Sequence, residues 1–232
     1  MNEIVAIVEG HTEQAFVRDQ LAGHLGRYGI SIWAVLPGKT GNRGGVRKWE
    51  STRNDIIRTL KQRRYCTTMF DFYGMPKDWP GREDAAQLPW GQRGPHVEGE
   101  ILKDIARTVG ESFNPAQFVP YVQVHEFEAL LFSNTFELAR LAAPDENRVN
   151  SIQGKLDAVL EKEGNPEAID DGYESCPSRR IEGLVRGYRK RLHGPIVAGR
   201  IGLMKLREGC QHFGAWVGKL EQLEIVGATT AP

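Results

Sequence analysis

Five acidic residues stand where a folded chain could do chemistry with them. Glu9 follows the apolar run 4–8, and Glu13 comes one helical turn later. Asp71 closes the run that begins at Tyr65, and Glu126 and Glu128 come late in a fourth apolar stretch that opens at Phe118. Sites in open α/β sheets form beyond the carboxyl ends of the strands, so three of four expected strands deliver carboxylates to one edge. Carboxylates gathered there repel one another and are costly to bury unless a cation joins them. An all-oxygen donor set suits Mg²⁺ or Mn²⁺ better than zinc. Such ions activate water and stabilise a leaving oxygen in phosphodiester cleavage. Glu9, Asp71 and Glu126 are therefore the catalytic candidates, and Glu9, Glu13, Asp71, Glu126 and Glu128 the candidate metal ligands. The plainer readings are helix caps and solvated loop residues for the first three, and salt bridges to basic segments for Glu126 and Glu128.

Those basic segments are visible despite a formal net charge of zero, with 30 Lys+Arg against 30 Asp+Glu. Residues 39–64 and 178–208 each carry nine Lys/Arg against two acids. A globally basic nucleic-acid coat is excluded, while two local basic surfaces beside an acidic centre fit phosphate binding. Lys39, Arg43, Arg179 and Arg180 are the candidate nucleic-acid contacts; two solvated helix faces are the alternative. The loop Gly38-Lys39-Thr40 is not a Walker A site, because that motif needs glycine at position 33, which is Trp33. His125 points away from Glu126 if the chain there is a strand, so it reads as a core histidine. His11 reads as a surface residue and His212 as core packing.

The elements that must position these residues alternate. A strand at 2–9 is followed by a helix at 13–27, capped by Thr12, with Val17, Leu21 and Leu25 as its apolar stripe. Strand 30–36, helix 49–64, strand 65–72, helix 97–109 and a strand running into a helix within 118–131 follow. A Pro-, Gly- and Trp-rich insert occupies 74–95. This order predicts an α/β, doubly wound, mainly parallel sheet with helices on both faces at 1–135. A helical C-terminal extension at 136–225 has Val149, Ile152 and Leu156 on one stripe and further helices at 179–192 and 196–209; a frayed tail at 226–232 ends the chain. With 40% apolar residues the chain can bury a core. It shows no membrane span and no basic segment before its first apolar run. Three widely spaced cysteines and no CxxC pair suit reduced thiols. A cytoplasmic location is expected, and oligomeric state is left open.

The segment Val8-Glu9-Gly10-His11-Thr12-Glu13 resembles the glutamate motif that opens a Toprim domain, in the VEG-x-TE form of OLD-family nucleases. Asp71-Phe72-Tyr73 stands where Toprim proteins carry D-x-D. Four segments resemble an uncharacterised Toprim-like bacterial family bearing a domain-of-unknown-function label. They are Phe70 to Pro76, His125 to Phe132, Pro177 to Arg180 and Cys210 to Phe213. The resemblance implies a Toprim fold and metal-dependent phosphodiester chemistry, with Glu9 as acid/base or first ligand, Glu13 supporting a second ion and Asp71 binding metal. It also implies an ABC-type or AAA ATPase partner in a phage-defence setting. The second D-x-D aspartate is Tyr73, so one standard ligand is missing: Asp78, Glu98, Glu100 or Glu126 could replace it, with Glu126 and Glu128 the best placed, and otherwise the centre holds one ion or none. The leading expectation is a Mg²⁺- or Mn²⁺-dependent nuclease. The alternatives are a non-catalytic Toprim-like subunit that senses nucleic acid or nucleotide and regulates an ATPase, and a metal-assisted phosphatase.

Overall fold

A computed structural model describes residues 2–38, 45, 48–142, 145–169, 172 and 175–223. Strand β1 (Asn2–Val8) leads into a helical run made of α1 (His11–Phe16), a π turn (Val17–Leu21) and α2 (Ala22–Gly26). Then come β2 (Ile30–Val35), α3 (Trp49–Lys61), β3 (Tyr65–Asp71), α4 (Arg82–Ala85) and α5 (Trp90–Val109). Two short strands, β4 (Phe118–Val119) and β5 (Val122–Gln123), precede α6 (Phe127–Leu131) and α7 (Thr135–Ala139). The chain continues through α8 (Glu146–Glu163), α9 (Pro177–Leu184), α10 (Lys190–Ile201), α11 (Leu203–Gly209) and α12 (Gln211–Glu221).

All strand pairs are parallel, in the order β2-β1-β3-β4, with β5 also on β3. The two short strands are one strand interrupted, because Thr67 faces Val119 and Phe70 faces Val122 at the same offset. Pro120 sits in the gap and cannot donate to the ladder. The Thr68 hydroxyl takes over, accepting from Tyr121 N–H at 2.9 Å and donating to the Tyr121 carbonyl at 3.0 Å.

Period-two alternation distributes β1 and β3 between two cores. Ile4, Ala6, Val8 and Met69 join Phe16, Leu21 and Leu25 on one face, where Phe213, Trp216 and Leu220 of α12 complete the same cluster. Ile7, Cys66 and Phe70 turn to the other face, against Ile56 of α3 and Ile101 of α5. This is the α/β architecture expected, with helices on both faces and a helical C-terminal part. Among the described residues, no helix is long and apolar enough to cross a membrane. The expected tail at 226–232 lies outside the described residues.

Element boundaries moved for identifiable reasons. The first helix starts at His11 with Gly10 as its N-cap, and Thr12 is buried rather than capping. Val17, Leu21 and Leu25 are all buried as expected. The insert contains α4 and the first turns of α5, which runs straight through Pro95; proline inside a helix is a poor sequence signal for one. The helix expected across 196–209 is divided at Gly202, whose φ of 81° takes it out of helical space. The helix expected across 179–192 ends at Leu184, with Gly187 at φ 82° just beyond.

Candidate functional site

After β1 the chain goes to one side to form β2, then crosses back to form β3 on the other. The strand order therefore reverses between β1 and β3, and crevices beyond the carboxyl ends at such a reversal are where α/β sheets place ligands. Glu9 follows β1 and Asp71 ends β3 at this point. The Asp71 N–H donates to Glu9 Oε2 at 3.1 Å, and the Glu9 N–H continues the ladder to the Met69 carbonyl at 3.1 Å. Glu9 is thus fixed by the sheet itself.

Glu13 lies one turn into α1 and is buried. A Cβ on Gly10 would come within 3.1 Å of Glu13 Oε2, so only glycine leaves full room for that carboxylate to fold back over the turn. Glu126 caps the start of α6 without using its side chain there, and Glu128 is buried in the first turn. Helix α10 crosses α1 closely, with Gly194 taking the place against Thr12 Cγ2 that a side chain would fill. That approach brings Lys190, the first residue of α10, into the carboxylates.

Lys190 Nζ lies 2.8 Å from Glu126 Oε1 and 3.4 Å from Glu128 Oε2. Glu126 Oε2 accepts the Ser178 N–H at 2.9 Å from the start of α9, and Glu128 Oε1 accepts the Tyr188 hydroxyl at 3.3 Å. The salt-bridge alternative for Glu126 and Glu128 therefore holds in the structure. Their partner comes from the second basic segment. The sequence does not single out Lys190, because nothing in its neighbours marks one cation among nine.

The electrostatics show a centre with more negative charge than one lysine offsets. Burial raises the Glu9 carboxyl, with Glu126 and Glu128 adding to the effect against the Asp71 N–H and Lys190. Burial followed by the Glu9 charge pushes Glu13 up to about 7. Burial also takes Glu128 to about 7, although Lys190 opposes it. Asp71 is raised well above the usual carboxylate range by burial and then by Glu9, Glu13, Glu128 and Glu126. Glu126 alone of the five is lowered, since Lys190 and Ser178 together outweigh its burial. Lys190 is correspondingly raised, its two glutamates prevailing over burial.

So the structure brings all five predicted carboxylates into one electrostatic unit. Among the described residues, no three His, Cys, Asp or Glu side chains stand placed to hold a metal ion. The donor chemistry nonetheless suits a hard divalent cation, and Asp71 Oδ1 is shielded from solvent without a hydrogen-bond partner among the described residues. Glu9, Glu13 and Asp71 are the three that Lys190 does not bridge, and they are the ones a cation would serve.

A cleft of about 250 Å³ opens beside Lys190, lined by Tyr73, Glu126, Cys176, Ser178, Arg179 and Glu182. Arg179 thus faces the centre, paired with Glu182 at 3.1 Å. Arg180 is held elsewhere, between the Ser175 carbonyl at 2.5 Å and Glu163 at 3.3 Å. Lys39 and Arg43 lie outside the described residues. Gly45, just after them, donates its N–H to the Glu9 carbonyl at 2.9 Å, which brings that end of the basic loop to the site.

Three of the possible replacements for the missing D-x-D aspartate are committed to other partners. Asp78 accepts the Trp49 N–H, Glu98 accepts the Val122 N–H, and Glu100 pairs with Lys103. His125 is buried and His11 exposed, as read from the sequence. His212 packs on Tyr121 with ring centroids 5.1 Å apart, and its Nε2 also lies 2.9 Å from Glu98 Oε1. No curated protein and no solved structure matches the chain. The model of a family described as "Domain of unknown function (DUF4276)" matches residues 8–221, nearly the whole length, and the protein belongs to that family.

Proposed function

We propose that the protein is a Toprim-like, divalent-metal-dependent enzyme that cleaves phosphodiester bonds in nucleic acid. The observation that carries this reading is the convergence of five carboxylates at the β1/β3 reversal against the single ammonium of Lys190, with four of the five carboxyls raised. A protein that gathers unneutralised carboxylates beyond a sheet edge has placed a demand for positive charge there.

The residues divide the work by environment. Glu9, Glu13 and Asp71 would have to draw together from their present positions to hold Mg²⁺ or Mn²⁺, which when bound supplies an activated water and charge stabilisation. Glu9 is locked at one oxygen by the Asp71 N–H, so its other oxygen is left to accept a proton. Burial raises its affinity for that proton, the direction a general base needs. Lys190 is held by Glu126 and Glu128 at the mouth of the cleft, where its charge can meet an incoming phosphate and the oxyanion that develops on it. Arg179 and the exposed Tyr73 line the approach. They offer a backbone phosphate a guanidinium and a base an aromatic face. On the family resemblance, this reading extends to a phage-defence effector working with an ABC-type or AAA ATPase.

The test is cleavage of supercoiled plasmid and of single-stranded RNA with Mg²⁺ and then Mn²⁺, beside Asp71→Asn. Cleavage that disappears in the variant is expected. A folded wild-type protein that cuts neither substrate in either metal would overturn the proposal.

A further inference from the structure

Next to Asp71 lies a second orphaned polar group. Gln123 is fully buried, and its Nε2 has no hydrogen-bond partner among the described residues. Asp71 and Gln123 are register partners on adjacent parallel strands. Register partners project to the same face, and their neighbours agree: Phe70 and Val122 both turn to the α3/α5 core, Met69 and Tyr121 both to the opposite one. An unmatched acceptor, Asp71 Oδ1, and an unmatched donor, Gln123 Nε2, therefore stand side by side on the face that carries the acidic centre. Buried polar groups are almost always satisfied in native proteins.

The Gln123 amide is also held in one orientation. Tyr121, two residues back on the same face, hydrogen-bonds Gln123 Oε1 through its hydroxyl. With Oε1 engaged, the amide presents only N–H groups elsewhere. Tyr121 is itself clamped by stacking on Trp216, at 4.5 Å between ring centroids and 14° between planes, and Trp216 Nε1 donates to Thr67 Oγ1 at 2.8 Å. A side chain of the C-terminal helix α12 thereby reaches, through two aromatic rings and an amide, towards the end of β3.

We propose that Gln123 is a positioning residue for Asp71: its amide N–H reaches Asp71 Oδ1 across one buried water and leaves Oδ2 to face the cation. This rests on the reading of Asp71 as a cation ligand. Partners that orient a ligand in this way are worth ten- to hundredfold in metal affinity. The experiment is Mn²⁺ titration of the full chain, followed by electron paramagnetic resonance, for Gln123→Leu, Tyr121→Phe and Asp71→Asn, with thermal unfolding alongside. Gln123→Leu removes the donor while conserving most of the volume, and should weaken Mn²⁺ binding about tenfold. Tyr121→Phe keeps the packing but frees the amide, and should weaken binding less than Gln123→Leu does. A purely structural role would move the unfolding temperature and leave Mn²⁺ affinity alone. Wild-type affinity in both variants, or in whichever of the two folds, would refute the positioning role provided Asp71→Asn abolishes binding. Retained binding in Asp71→Asn would instead remove the ligand reading on which the proposal stands.

Discussion

Glu13→Gln should stabilise the metal-free protein at pH 8 and much less at pH 5. Glu13 is 6% exposed, and its carboxyl is raised from an ordinary 4.5 to about 7 by burial and by Glu9. Between those two values the folded chain holds a proton that the unfolded chain releases. Stability attributable to this group is therefore fully present below about 4.5 and is lost as pH rises through about 7. A shift of this size corresponds to about 3 kcal/mol, at 1.36 kcal/mol per unit. Relaxation and the sharing of protons among Glu9, Glu13, Asp71 and Glu128 reduce what a single variant recovers. At pH 5 wild-type Glu13 is neutral in the folded chain but mostly ionised in the unfolded one, and glutamine is nearly isosteric, so the same two values leave a gain of below about 1 kcal/mol. At pH 8 a gain of about 2 kcal/mol is expected, or roughly 4–8 °C in Tm for a chain of this length. The assay is urea and thermal unfolding in chelator at the two pH values, repeated with Mg²⁺. Added Mg²⁺ should reverse the order, because wild type regains stability by binding a cation that the variant has lost a ligand for. An equal effect at pH 5 and pH 8, or a loss at pH 8 in chelator, would show that Glu13 is not an unneutralised charge in the folded protein.

Two further substitutions probe what surrounds the centre. Lys190→Met leaves Glu126 and Glu128 without their shared cation and should cost about 1–3 kcal/mol at pH 8, below the full penalty for a broken buried pair because Lys190 is 40% exposed; urea unfolding measures it, and a neutral result at pH 8 would mean that solvent, not Lys190, balances these glutamates. Glu167→Ala removes the buried carboxylate that accepts the His212 and Phe213 N–H groups, each at 3.0 Å, at the start of α12. It should cost about 2–4 kcal/mol, and hydrogen exchange at those two amides should accelerate; unchanged protection there would rule out the cap.

The acidic centre was legible in the sequence because strand periodicity is local. An apolar run sets where a strand ends, parallel connectivity sends every carboxyl end to one edge, and Glu9, Asp71 and Glu126 follow from those two facts. The stripe Val17, Leu21 and Leu25 and the alternation of Ile4, Ala6 and Val8 against Ile7 were readable in the same way. Helix limits were less so, since Pro95 and Gly202 act through backbone conformations that tertiary packing can accept or impose.

What the sequence could not supply were the partners. Lys190 is one of nine basic residues in its segment, and only the close crossing of α10 over α1 at Gly194 selects it to meet Glu126 and Glu128. Arg179 and Arg180 are neighbours of one composition, yet α9 aims the first at the cleft and holds the second against Glu163. The Gln123 amide becomes visible as a neighbour of Asp71 only once the register of β5 on β3 is fixed. Periodicity along a chain determines which residues arrive at an edge; which charges and donors they meet there is decided by packing between elements distant in sequence, where contact distances, burial and dielectric are set.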